Sequence, residues 1–234
     1  MRAAFAFLTP LGPARAPSPA AVSWFPLVGA ALGGVLGVVW WACGQVLPSM
    51  VAGAVVVAAD LALTGMLHFD GLVDAADGLL PHLSRQRRLD VMRSPEAGAF
   101  GVAAGATALL VRWAALASLR PAPLLLAGLW CLSRAGMGVV MRVVPYARAG
   151  SGLADAFGGQ ASLVPIGSGV AAAVAILWLW RAPAGPTAAA GAALAGGAVV
   201  LLAWRRVGGF TGDVLGAAAV VAETAGLVVA SARW

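Results

Sequence analysis

Lysine is absent from this chain, and charge of either sign is scarce: of 234 residues only 10% are charged, fifteen arginines against nine acids. An ordinary soluble domain carries about 25% charged residues, so that class is excluded at the outset. Cysteine occurs twice, at Cys43 and Cys131, each isolated in an apolar stretch with no CxxC spacing. This argues against a disulfide framework or a thiolate metal centre and leaves both as small packing residues. The opening residues MRAAFAFLTPLGPARAP lack a long apolar core followed by a small-residue cleavage site, so a removed signal peptide is not expected and the segment suits the membrane interface. No linker or fixed-period repeat divides the chain, and residues 1–234 read as a single polytopic membrane domain. The net charge of +6 brings no nucleic-acid partner, because the arginines flank apolar blocks and form no aromatic-interleaved stripe.

What is abundant is apolar sequence: 61% hydrophobic residues and a mean hydropathy of +0.92. Blocks at 25–46, 48–67, 99–119, 122–141, 163–180, 186–204 and 213–232 each approach the roughly 20 residues that cross a bilayer. An all-α membrane bundle of six or seven spans is expected, with membrane lipid around it; the last block is the weakest because it encloses Asp213 and Glu223. Prolines at 48, 121, 123, 183 and 186 sit at the breaks, where a missing amide hydrogen bond costs least. With the N-terminus inside, Arg2, Arg15, Arg85, Arg87, Arg88, Arg93, Arg142, Arg148, Arg205 and Arg206 fall on the cytoplasmic side, against Arg120, Arg181 and Arg233 opposite. The stretch 68–98 then forms a cytoplasmic helical loop.

Within that loop, HFDGLVDAADG at 68–78 places Asp70, Asp74 and Asp77 at i, i+4 and i+7. On a helix advancing about 100° per residue they fall within an arc of roughly 60°. Bare carboxylates so placed repel one another, and a hard divalent cation, Mg²⁺ or Mn²⁺, is their natural occupant, completing its shell with phosphate oxygens. His68 lies on another face; base, phosphate contact and helix-start residue all remain open for it. The string GGFTGD at 208–213 offers glycines that admit phosphate oxygens, the Thr211 hydroxyl and a fourth carboxylate, Asp213; a glycine-rich turn with an Asp cap is the alternative. Gly209 and Thr211 are the substrate-binding candidates there. Arg134, inside a span, either pairs with an acid or reaches a substrate phosphate, and Arg148 is either a phosphate clamp or a topology-setting loop residue. Asp60 and Arg112 also lie inside spans, and nothing in their spacing assigns them a task. Small-residue strings such as GAALGGVLG suit close helix contact.

Taken together, TGMLHFDGLVDAADGLL at 64–80, SRQRRLDVM at 84–92, GAFG at 98–101, SRAG at 133–136, YARAGSGL at 146–153 and GGFTGDVLGA at 208–217 resemble the cobalamin synthase family, the adenosylcobinamide-GDP ribazoletransferases. FLTPLG near the start and FPLVGAALG at 25–33 add to the likeness. The resemblance implies a Mg²⁺-dependent transferase of the bacterial inner membrane, its site facing the cytoplasm, that joins adenosylcobinamide-GDP to α-ribazole or its 5′-phosphate and releases GMP. It implies Asp70, Asp74, Asp77 and Asp213 as metal ligands, Arg134 and Arg148 as phosphate contacts, and Asp74 or His68 as acceptor of the hydroxyl proton. Glu223 fits a recurrent acidic position. SPEAGAFG at 94–101 departs from the family's usual acid and base there, and Val220 stands where relatives can carry an acid. A homo-oligomer is compatible with this reading, which leaves its order open. The competing expectations are a CDP-alcohol type phosphotransferase, whose DG-x-x-AR pattern is missing, and a small cation-coupled transporter, which would place its charges near the bilayer midplane.

Overall fold

A computed structural model describes residues 1–10, 19–148 and 162–234. Arg15, residues 11–12 of FLTPLG, and 149–161 of the polar loop, including the end of YARAGSGL, lie outside the described residues. Among the described residues all regular elements are helices: α1 (Arg2–Leu8), α2 (Pro19–Val22), α3 (Phe25–Gly44), α4 (Ser49–Leu63), α5 (Leu67–Leu79), α6 (Arg85–Val91), α7 (Ala99–Ser118), α8 (Pro123–Val143), α9 (Leu163–Trp180), α10 (Ala184–Val207) and α11 (Gly212–Ala230). Prolines occupy the first turns of α3 and α8, where a helix has amides to spare.

Six helices, α3 and α7 to α11, are long and apolar enough to cross a bilayer, which makes this an all-α multi-pass membrane protein. The block at 48–67 behaves differently from a plain span. Its helix α4 stops at Leu63 after 15 residues, about 22 Å at 1.5 Å per residue, and the chain turns by 89° into α5. The corner is made by Gly65 and Met66, at φ 57° and 60°. This left-handed region is open to glycine and costly for methionine. The α4–α5 pair makes a seventh crossing only if the two are counted as one bent unit.

The acid-bearing block at 213–232 becomes α11, with 72% of its apolar window enclosed by the bundle. It packs against α10, α5, α8 and α7 and is the central helix. Beside it α3 lies along α8 through Gly29, Gly33 and Gly37, where a Cβ would fall 2.2 to 2.4 Å from backbone atoms of α8. In lipid, where helices gain little from hiding apolar surface from one another, such close approach supplies the packing attraction. Helix direction alternates, so the α4–α5 corner, α6, the segment after α8 and the α10–α11 turn gather at one end.

Candidate active site

Helix α5 is amphipathic: Leu72, Ala75, Ala76 and Leu79 are buried while Asp70 is exposed and Asp74 half-buried. It crosses the start of α11 at two glycines. A Cβ on Gly71 would meet the Asp213 carbonyl oxygen at 2.9 Å, and one on Gly216 would meet the His68 carbonyl oxygen at 3.0 Å. The two backbones therefore touch, and Asp70 and Asp74 are brought opposite Asp213. The far end of α5 is capped by arginines. Arg88 Nη1 donates to the carbonyls of Gly78 and Leu79 at 2.8 and 2.7 Å, and Arg206 Nη1 donates to those of Leu79 and Leu80. Cations at a helix C-terminus meet its unsatisfied carbonyls and negative dipole end.

The second wall comes from GGFTGD. Gly208 ends α10 at φ 82°, and Gly209 packs so tightly on the Pro145 carbonyl that a Cβ would lie 2.1 Å from its oxygen. That contact permits an isolated parallel bridge between Tyr146 and Phe210, in which Ala147 N donates to Phe210 O at 2.9 Å and Phe210 N to Pro145 O at 3.0 Å. Thr211, fully buried, caps α11 by accepting from Val214 N at 3.2 Å and donates to Asp213 Oδ2 at 3.1 Å. Gly209 and Thr211 thus shape the turn; neither lines the cavity beside it.

That cavity measures about 380 Å³ and is lined by Asp70, Asp213, Arg148, Tyr146, His68 and Phe7 of α1, among others. Arg148 Nη2 donates to Asp213 Oδ2 at 3.0 Å, and its buried Nε has no hydrogen-bond partner among the described residues. Burial, then the like charges of Asp70, Asp213 and Asp77, push the Asp74 carboxyl up to about 6. Asp77 faces elsewhere: its two oxygens accept from Gly98 N at 2.6 Å and Gly101 N at 2.8 Å and so cap the start of α7. The glycines of GAFG leave room for that carboxylate, since a Cβ on Gly101 would lie 2.3 Å from Asp77 Oδ2. Among the described residues no three acids, imidazoles or thiols group closely enough to grip an ion as they stand. The donor set is nonetheless carboxylate oxygen on two facing walls, the chemistry of a hard divalent cation. Asp70 and Asp74 with Asp213 fit such an ion; Asp77 is committed to α7.

Arg134 is not brought to this cavity. It is 1% exposed and bound to Glu223 within the bundle. Glu223 also accepts from Ser133 Oγ at 2.7 Å and Arg112 Nη2 at 3.0 Å, and Arg112 reaches Asp60 and Thr224. Trp130 Nε1 donates to Asp60 at 3.1 Å. Two arginines and two acids, from four helices, thus neutralise one another around a cavity of about 10 Å³, the room of one water. His68 lines both this small cavity and the larger one and forms part of the wall between them. Burial, then Arg134 and Arg112, push its pKa well below the ordinary value, so the imidazole is neutral.

Two groups in the structure carry no assigned task in the sequence. The pairing of Asp60 and Arg112 with Glu223 and Arg134 had a signal, because charges inside spans must find partners and two of each sign were present. Arg85, which binds the Val207 carbonyl before the GGFTGD turn and the Ala147 carbonyl of the segment paired with it, has none beyond its charge.

A family model described as Cobalamin-5-phosphate synthase matches residues 1–231. A curated relative named adenosylcobinamide-GDP ribazoletransferase from Chlorobium phaeovibrioides is 35% identical over 207 residues, covering 86% of this chain and 82% of that protein. Proteins of the same name from Deinococcus radiodurans and Bradyrhizobium diazoefficiens are 38% and 35% identical, covering 94% and 98% of this chain and 81% and 91% of their own lengths. No solved structure matches the chain. With the match running through α5, the GGFTGD turn and every span between them, the chain belongs to the cobalamin-5-phosphate synthase family.

Proposed function

We propose that this protein joins adenosylcobinamide-GDP to α-ribazole or its 5′-phosphate with the help of a divalent cation, Mg²⁺ or Mn²⁺, at the cytoplasmic end of the bundle. The observation that carries this reading is the convergence of Asp70, Arg148 and Asp213, from three separate chain segments, on one cavity. Carboxylates with a neighbouring arginine are the arrangement a diphosphate needs, since its charge must be neutralised before a hydroxyl can approach.

In the reaction the ribose 3′-oxygen bonds to the corrinoid-side phosphorus, the bond from that phosphorus to the GMP oxygen breaks, and the hydroxyl proton passes to a base. Asp70, Asp74 and Asp213 would hold the cation, which when bound withdraws charge from the diphosphate and stabilises GMP as a leaving group. Arg148 keeps Asp213 in place with one nitrogen, and its Nε, without a partner among the described residues, is available for a phosphoryl oxygen. Asp74 and His68 are the two candidates to receive the hydroxyl proton; His68 lines the cavity, and its burial disfavours the imidazolium. Gly209 and Thr211 act by fixing the turn that presents Asp213.

The transporter alternative expects charges within the spans, and Asp60, Arg112, Arg134 and Glu223 are there. They are mutually paired around space for a single water, which suits a structural network better than an ion path. The test is to supply membranes containing the protein with adenosylcobinamide-GDP, α-ribazole and Mg²⁺ and to follow GMP and cobalamin. No turnover by folded protein rejects the proposal.

A further inference from the structure

Helix α6 is seven residues long and grips both walls of the cavity. Arg88, in its last turn, holds the carbonyl end of α5. Arg85, at its start, reaches the other wall: Nε donates to the Val207 carbonyl at 2.8 Å and Nη2 to the Ala147 carbonyl at 3.0 Å. Val207 is the last residue of α10 and Ala147 immediately precedes Arg148, so one guanidinium clasps the chain on both sides of the Tyr146–Phe210 bridge. The bond to Val207 also satisfies a carbonyl that the end of α10 would leave without a helical partner.

We propose that Arg85 is a positioning residue for the phosphoryl-transfer site: by fixing the Ala147 backbone it sets where the Arg148 guanidinium stands relative to Asp213 and the substrate phosphates. The inference rests on the function proposed above. Arg85 does not line the cavity and acts through Arg148. Its two diverging donors explain why a guanidinium stands at this place, since a lysine ammonium is a point charge on a flexible stem and matches a fork of two carbonyls poorly. The lever is short: the clasped carbonyl belongs to the residue immediately before Arg148, and displacements of about 1 Å at a reacting centre can cost roughly a hundredfold in rate.

The test uses the full chain in detergent or nanodiscs with Arg85→Gln, Arg85→Lys, Arg148→Gln and the double variant Arg85→Gln/Arg148→Gln. Arg85→Gln is expected to lower kcat/KM for adenosylcobinamide-GDP about tenfold or more, and Arg85→Lys to lie between it and the parent. In the Arg148→Gln background the same change should cost less than about twofold, because the group it positions is gone. Hydrogen exchange at the Ala147 and Phe210 amides, which form the bridge, should quicken in Arg85→Gln while α8 and α11 keep their protection. Full-sized additive losses in the double variant, parental kinetics in Arg85→Gln, or unchanged exchange at the two bridge amides would each overturn the proposal. If Arg85→Gln does not fold, the kinetic cycle and the exchange measurement are run with Arg85→Lys and decide by the same criteria. Should the parent protein show no turnover, the functional reading falls, and the exchange measurement still decides whether Arg85 holds the bridge.

Discussion

Arg148 and Asp213, 65 residues apart in sequence, meet at 3.0 Å in the lining of the cavity. The pair is part-buried, so the charges hold one another more firmly than a surface ion pair would. Arg148→Lys keeps the charge but loses the planar fork that can serve Asp213 and a phosphate together. Its expected effect is a rise in KM for adenosylcobinamide-GDP of about tenfold, with KM for α-ribazole nearly unchanged. Steady-state kinetics with each substrate varied in turn checks this.

Asp74→Asn removes a charged oxygen donor while keeping the side chain's size. Turnover should fall by at least about a hundredfold and should not recover when Mn²⁺ replaces Mg²⁺, while membrane insertion and helical content stay at parental levels. Full activity in the folded variant would remove Asp74 from the cation site.

The pH dependence of stability follows from the same residue. Asp74 titrates at about 6 in the folded protein against an ordinary value of 3.8, so protonation favours the folded state. This contribution is fully present below 3.8 and is lost as pH rises through about 6. In EDTA, the difference in Tm between the parent and Asp74→Asn should therefore widen from pH 4 to pH 7, with the parent the less stable at the upper end. A difference that does not change over this range counts against the repulsion at Asp74.

Glu223→Ala leaves two buried arginines facing only Asp60. Breaking a buried charge network in this way costs about 3 to 5 kcal/mol, so thermal unfolding in detergent should shift down sharply. Glu223→Gln, which retains acceptor capacity but not charge, should lie between. A parental Tm in Glu223→Ala would show that the network contributes little.

The crossing of α5 over α11 tolerates no side chain at Gly71, whose Cβ would press on Asp213 backbone. Gly71→Val should separate the two walls and abolish turnover, whereas Gly197→Ala, with nothing within 4 Å of the added atom, should behave like the parent. Activity in Gly71→Val near the parental level would mean that the walls need not touch.

Much of the site could be read from the sequence because it depends on local periodicity. Asp70 and Asp74 share a helical face, and the alternation of spans carries GGFTGD to the same end as HFDGLVDAADG. What could not be read depends on docking. Asp77 has the right spacing for a ligand, yet it turns to the amides of Gly98 and Gly101, and no period encodes where α7 begins relative to α5. Arg134 finds its partner 89 residues away. The short α4 was hidden because apolar sequence continues across its corner: composition at Leu63 to Leu67 looks like membrane span, while the left-handed pair Gly65 and Met66 redirects the chain.

That corner has a further consequence. One wall of the cavity begins the most enclosed span of the bundle, while the other is a helix turned 89° from α4 at the bundle's end. Under the proposed function two substrates of unlike bulk enter between these walls, and the enclosed wall has little freedom to yield. Adaptation to cargo size then falls to α5, which should exchange its amide hydrogens faster than α11 and become protected when the larger substrate binds.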